Sequence, residues 1–327
     1  MSSRAPLLVG KLRALVDRPA APATDFPGGA ALVDGSSVWM LLDADPIAAF
    51  GPALIWAERR GATDVTLVVD GPEVAVLARR AALFSSPPTV LAVDGVTTSP
   101  AEPAPRPIHD APAAPDLAEV LVDADLEVVV EDGIVRGEVL GLEVARIVHG
   151  TTTFGTPIDE PTLEVGVGEA DREMTAMVHA GLSPVAQVAR VRDIVLEHRR
   201  PDALRHALNL LAPERWLRAT LVRDPARIGL TELHPAPPAV PRPNLRDSAI
   251  AIARGQDDAG DEVIVACSVG VHLDLVPAAA DARAALAPDA RLLLALPSRD
   301  AHPVTQALAA RLLRPAELVP IEGDWRV

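Results

Sequence analysis

The stretch LVVDGPEVAVLARRAALFSSPPTVLAVDG (residues 67–95) decides the reading of the fold. A short apolar run that stops at Asp70-Gly71 reads as a buried strand. Pro72 sits at the head of the helix that follows, where a missing N–H is tolerated because the first turn has no partner for it. Pro87 and Pro88 break the chain before PTVLAVDG returns as a second strand. Just upstream, PIAAFGPALIWAERRGA (46–62) reads as a helix with Phe50, Leu54 and Ala57 apolar. Before it, GAALVDGSSVWMLLD (29–43) reads as a strand pair or one interrupted strand.

The C-terminal end carries the same plan. EVIVACSVGV (262–271) is a strand, PAAADARAALA (277–287) a helix and ARLLLALP (290–297) a strand. HPVTQALAARLLR (302–314) is a helix and AELVPIEG (316–323) a strand. Residues 67–95 lie well beside 293–323: each has a strand, a helix, a proline-marked break and a closing strand ending in glycine. The expected fold is α/β, with two similar Rossmann-like β-α-β-α-β modules flanking a central α-β-β-β-α meander. Parallel sheets need both faces covered, so the two copies are expected to pair with each other or to extend the middle sheet. Ligands in such sheets favour the strand C-termini, here Asp70-Gly71, Asp94-Gly95, Cys267-Ser268 and Pro297–Asp300.

Two proline-rich tracts, 99–115 and 234–244, read as linkers. They divide the chain into an N-terminal helix and linker (1–27), a first Rossmann-like module (28–98), a meander with further helices (113–233) and a second Rossmann-like module (244–327). The net charge of -15 and the lack of a basic cluster argue against nucleic acid as a partner. Lys11 is the only lysine, and the bias to arginine, alanine and proline resembles chains from high-GC actinobacterial genomes. Cys267 is the only cysteine, which excludes an internal disulfide. No apolar run approaches a membrane span, and the start of the chain does not read as a signal peptide, so the expectation is a cytoplasmic protein. Leu8, Leu12, Leu15 and Val16 mark one face of a short first helix.

The middle of the chain carries the acids that matter. DLAEVLVDA (116–124) is a helix, LEVVVEDG (126–133) a strand, and Asp132-Gly133 a hairpin signal. IVRGEVLGLEVARIV (134–148) reads as the returning strand. Simple alternation puts Glu138 beside Arg136 and Arg146, where it is solvated or paired with Arg136. It puts Glu143 on the opposite face, among Gly137, Gly141 and Ala145. A bulge at Gly141 would bring the two acids together. In TLEVGVG (162–168), Glu164 shares a face with Gly166 and Gly168. Paired strands would let Glu143 and Glu164 converge over a glycine floor that leaves room for a ligand. Two such carboxylates suit a hard divalent cation or a shared proton.

A helix, a meander with an acid in its second strand, an acid at the start of the third and a following helix is similar to the core of PD-(D/E)XK nucleases. The resemblance covers about 115–180. It implies Glu143 and Glu164 as catalytic residues that ligate Mg²⁺ or Mn²⁺ beside a scissile phosphate. Gly166 stands where E-x-K has lysine, and Arg172 on the next helix is the residue that would stand in. That is one class of function, a metal-dependent phosphodiesterase. The other, which the missing lysine and the acidic charge favour, is a non-catalytic scaffold or ligand-binding protein, for which the sequence points to no particular cofactor; Mg²⁺ or Mn²⁺ belongs to the enzyme reading alone.

Other motifs read as structural. GVGEAD (166–171) has Asp171 where a dinucleotide loop needs glycine or alanine, and its acids repel a pyrophosphate. DREMTAMVHAG (171–181) reads as a helix capped by Asp171. Cys267-Ser268, followed by His272, Asp274 and Asp281, lacks a nucleophile elbow, and a lone cysteine in an apolar strand reads as packing. In SRDAHP (298–303), Ser298 or Asp300 reads as a helix N-cap, with Pro303 in the first turn. The histidines show no zinc spacing. The amphipathic stretch around Trp216 (206–222) reads as core, with a homodimer interface as the second reading.

Overall fold

The computed structural model describes residues 4–107, 110–131, 133–178, 182–200, 206–242 and 244–325. The chain is α/β. Helix α1 (Arg4–Leu15) buries Leu12 and Leu15, the face that its spacing predicts. Strands β1 (Ala23–Thr24), β2 (Gly29–Asp34) and β3 (Ser37–Leu42) follow. Residues 29–42 are therefore a hairpin, with Asp34 opposite Ser37. Helix α2 (Pro46–Glu58) starts where Asp45 accepts the Ala48 N–H at 3.0 Å and Pro46 opens the first turn. Then come β4 (Asp64–Val69), α3 (Val74–Ala81), β5 (Thr89–Asp94) and β6 (Thr97–Pro100). The sheet order is β1-β2-β3-β4-β5-β6, with β3, β4 and β5 parallel and the flanking strands antiparallel.

Helix α4 (Pro115–Asp123) leads into a second sheet, β7 (Glu127–Glu131), β8 (Ile134–Val139), β9 (Leu142–Val148) and β10 (Thr162–Val165). Its order is β10-β9-β8-β7, antiparallel throughout. The expectation of one strand over 134–148 is corrected: the segment is itself a hairpin. Leu140 and Gly141 make its two-residue turn with φ of 47° and 74°, the pair of positive values that a type I′ turn needs. A Cβ on Gly141 would lie 2.2 Å from the Arg215 carbonyl oxygen, so only glycine fits beneath that backbone. Glu131 pairs with Ile134 across the preceding turn; the expected turn residue Asp132 lies outside the described residues.

Helices α5 (Glu169–Val178) and α6 (Pro184–His198), a 3₁₀ turn (Ala207–Leu210) and α7 (Pro213–Arg223) come next. Ser183 caps α6 by accepting the Ala186 N–H. The third sheet holds β11 (Leu230–Ala236), β12 (Ala251–Asp257), β13 (Glu262–Cys267), β14 (Arg291–Pro297) and β15 (Glu317–Ile321), in that order. Helix α8 (Leu275–Leu286) lies between β13 and β14 in sequence, and α9 (Pro303–Ala310) between β14 and β15. As in the first sheet, a hairpin (β12, β13) feeds a parallel neighbour (β14). Each copy thus takes antiparallel strand partners of its own and neither extends the middle sheet, while segments of the two copies do come together, α2 and α3 with α8 and α9, in one compact unit. The tract 234–244 is not all linker either. β11 runs through Pro235, which an edge strand tolerates. The cap of α9 is His302, whose Nδ1 accepts the Val304 N–H at 3.1 Å, in place of Ser298 or Asp300.

Two compact units form. One comprises 1–106, 271–284 and 302–317; the other comprises 107–270, 285–301 and 318–327. Within the first, Asp281 of α8 takes both Arg79 Nε (2.7 Å) and Arg79 Nη2 (2.9 Å) from α3, and Arg80 reaches Asp274 at 2.8 Å. Phe84 and Leu312, which hold the same place ahead of Gly95 and Gly323 in the two copies, form an antiparallel bridge. In the second unit, Trp216, Leu217 and Leu221 of α7 pack with Leu233, Val263, Val265 and Leu293 in one core. A separate core under the meander joins Leu121 of α4 and Val188, Val191 and Val195 of α6 to Leu142, Ala145 and Ile147.

Candidate functional site

The meander sheet has one apolar and one charged face, and a bulge decides which residues lie on each. Directly opposed residues in antiparallel strands share a face. Val135 pairs with Ile147, Gly137 with Ala145 and Val139 with Leu142, and all of these face the α4–α6 core. Arg136 pairs with Arg146, Arg146 with Glu164, and Glu138 with Glu143, all on the other side. The register shifts beside Gly137/Glu138, leaving Val144 as the extra residue of β9. Alternation alone puts Glu143 among the small residues. The bulge at Val144, in place of one at Gly141, turns it to the charged face with Glu138 and Glu164.

That face is buried, and α7 covers part of it. Glu138 is neither solvated nor paired with Arg136. Its two oxygens accept Arg215 Nη1 at 2.9 Å and Arg218 Nη2 at 2.7 Å. Glu131 accepts Arg218 Nη1 at 2.9 Å, Arg136 Nη1 at 3.3 Å and Arg215 Nη2. Two carboxylates and two guanidiniums therefore alternate in a closed ring, each arginine forking between two acids. Burial pushes the Glu131 carboxyl up, but Arg215, Arg218 and Arg136 outweigh it and hold it below the ordinary value. Burial likewise disfavours the Arg218 cation, yet Glu138 and Glu131 raise its pKa. Glu127, opposite Glu138 at the rim, has its pKa raised by burial first and by the Glu138 charge second.

The predicted site residues continue this lattice. Glu143 Oε1 accepts both Arg146 Nε and Arg172 Nη2 at 2.6 Å, and its Oε2 lies 3.4 Å from Arg136 Nε. Burial raises the Glu143 pKa, and Arg146, Arg136 and Arg172 together outweigh it and lower it. The structure thus joins Glu143 to Arg172. Burial lowers the Arg172 pKa, against the pull of Glu143 and Glu164. Glu164 takes a different partner: its oxygens accept the Thr153 N–H at 2.6 Å and the Thr153 hydroxyl. Gly166 (φ 139°) lets the chain pass against α5, where a Cβ would meet Arg172 N at 2.7 Å. Asp171 is not the N-cap of α5, which begins at Glu169; it reaches back to accept the Val167 N–H at 2.7 Å. Among the described residues, no three His, Cys, Asp or Glu side chains are grouped as a metal would need.

No family model matches the chain, nor does any curated protein or solved structure. The geometry therefore carries the functional reading alone. Sequence reasoning missed Glu131, Arg215 and Arg218. The available signal was the alternation of Glu127, Val129 and Glu131 in β7, together with the ERWLR segment at 214–218. Beyond the ring, Glu214 holds Arg242 at 2.7 Å and the Ala249 N–H at 2.9 Å. Arg199 is fully buried, with Nη2 donating to the Leu211 and Ala212 carbonyls and no partner for Nε or Nη1 among the described residues. Its guanidinium lies 5.0 Å from the centre of the Trp216 ring.

A cleft of about 350 Å³ opens beside the lattice, between α5, α6 and the 3₁₀ turn. Val191, Ile194 and Val195 of α6 and Leu208 form its apolar wall, and Asp171, Thr175, Arg190 and His206 supply polar groups. The His206 ring stacks on His198 with centroids 3.8 Å apart, and its Nδ1 accepts the Leu208 N–H. Elsewhere, Cys267 is fully buried, and burial pushes its thiol up to about 12. Asp300 accepts the Gly270 N–H at 2.6 Å and so ties the ends of β13 and β14 together. Among the described residues, no helix is long and apolar enough to cross a membrane.

Proposed function

We propose that the protein is a non-catalytic ligand-binding protein, with the meander lattice as a rigid frame and the cleft between α5 and α6 as the ligand site. The observation that carries this reading is the saturation of Glu143 by Arg136, Arg146 and Arg172. A hard dication needs carboxylate lone pairs, and three guanidiniums already occupy this carboxylate and repel a cation. Glu164 is committed to Thr153, so the donor set does not fit Mg²⁺ or Mn²⁺ and supports no phosphodiesterase step. The cleft has what a small-ligand site requires, an apolar wall with a few polar groups, at the lower end of the usual range of roughly 300–1,000 Å³.

Two thermal-shift series test the reading. Mg²⁺ and Mn²⁺ should leave the melting temperature unchanged. A rise with either metal that disappears in Glu143→Gln would overturn the proposal in favour of the metal enzyme. A panel of small metabolites should contain compounds that raise the melting temperature of the native protein and not that of Ile194→Trp, which fills the cleft from an exposed position.

A further inference from the structure

The cleft holds two opposite charges that do not neutralise each other. Asp171 and Arg190 line the same space, yet no ion pair joins them. Among the described residues the Asp171 carboxylate accepts one hydrogen bond, from the Val167 N–H to Oδ2, and Oδ1 has no partner there. Arg190, exposed on α6, has no ion-pair or hydrogen-bond partner among the described residues. Oppositely charged groups in one small site that stay apart are ready to be bridged by a molecule carrying both signs.

The remaining lining groups agree. Because the Leu208 N–H donates to His206 Nδ1, the neutral imidazole carries its proton on Nε2, as a donor. Stacking on His198 holds that ring in place, which lowers the ordering cost of binding. Arg190, His206 and the Thr175 hydroxyl therefore offer donors to an anionic head, and Asp171 offers an acceptor to a cationic one. Val191, Ile194 and Leu208 offer an apolar wall to a hydrocarbon body, with the buried Val195 behind them.

We infer that the cleft binds a free apolar α-amino acid as its zwitterion. The carboxylate lies toward Arg190 and His206, the ammonium toward Asp171, and the aliphatic side chain against Val191, Ile194 and Leu208. The inference rests on the ligand-binding reading above and adds the chemical class.

Titration calorimetry of the full chain tests it, with L-leucine as the probe. 4-Methylpentanoate, which lacks the amine, and isoamylamine, which lacks the carboxylate, serve as controls. L-Leucine should bind, and each control should bind at least about tenfold more weakly, the cost of losing one charge-assisted hydrogen bond. Arg190→Gln should weaken L-leucine by a similar factor and leave isoamylamine unchanged. Asp171→Asn keeps an acceptor for the Val167 N–H, and should weaken L-leucine while leaving 4-methylpentanoate unchanged. Equal affinity for L-leucine and 4-methylpentanoate would overturn the zwitterion assignment, as would no heat with L-leucine at millimolar concentration. In either case, a different metabolite whose binding is lost in Ile194→Trp leaves the ligand-binding reading standing. If the whole panel also fails, that reading falls as well.

Discussion

Arg218 donates from Nη2 to Glu138 Oε2 at 2.7 Å, with both side chains wholly removed from solvent. The pair joins a helix packed in one core to a strand of another sheet. The apolar side of α7 belongs to the core of the third sheet, and its charged side closes the Glu131–Glu138 ring. Removing one member of a buried pair leaves an uncompensated charge in a medium that solvates it poorly. Arg218→Met should therefore cost about 3–5 kcal/mol in urea unfolding. Arg218→Met combined with Glu138→Leu should cost less than the single change, because it removes one charge of each sign. A double variant weaker than the single one would mean that the ring is not acting as a neutralised unit.

Gly141 tests the close approach of α7 to the β8–β9 turn. Gly141→Ala adds a Cβ at a positive φ and 2.2 Å from the Arg215 carbonyl oxygen. Gly260→Ala adds one at a similar φ, 81°, with nothing within 4 Å. The Gly260 variant should lose about 1 kcal/mol from backbone strain alone, and the Gly141 variant at least about 2 kcal/mol more. Equal losses in chemical denaturation would argue that the turn moves freely away from α7.

Acid should unfold the meander through its paired carboxylates. Glu131 and Glu143 both have pKa values below the ordinary 4.5 in the folded protein. Between that value and the depressed folded one, the unfolded chain binds more protons, so stability falls as the pH falls through this window. The stabilisation is fully present above the ordinary carboxylate value. Glu127, whose pKa is raised by burial first and by the Glu138 charge second, works in the opposite direction, because its protonation relieves both. The urea midpoint should thus be level near neutrality and drop below about pH 4.5, less steeply in Glu143→Gln. An equal acid slope in that variant would remove Glu143 from the account.

Cys267 should be chemically silent in the folded state. Burial pushes its pKa up to about 12, so almost no thiolate forms near neutral pH, and no reagent can reach the sulfur. Iodoacetamide at about pH 8 should leave the native chain unmodified and label it fully in denaturant. Rapid labelling of the native protein would show that the strand end opens.

Much of the fold was legible from local signals, because strands, helices and turns depend on neighbours in sequence. The first-helix face, the helix that opens at Pro46 and the repeated β-α-β order needed only spacing, proline and glycine. The errors fell where local signals compete. Leu140-Gly141 sits inside an apolar run and carries no standard Asn-Gly or Asp-Gly mark, so the run reads as one strand. His302, an uncommon cap, took the role that Ser298 and Asp300 advertise. The cleft was not legible at all, because its lining comes from three segments with no periodic relation to one another.

By itself, the sequence determined an acidic α/β chain with a repeated plan and a central meander, since hydrophobic period and turn residues set element type locally. It also singled out Glu143 and Arg172, which the structure joins at 2.6 Å. What those charges do was decided only by the tertiary structure. A bulge at one residue of β9 reverses the face that Glu143 occupies, because strand side chains alternate with a period of two. The arginines that neutralise Glu131 and Glu138 arrive from α7, more than seventy residues along the chain. No local pattern encodes a contact of that span, and it is this contact that makes Glu131 and Glu138 part of a buried frame.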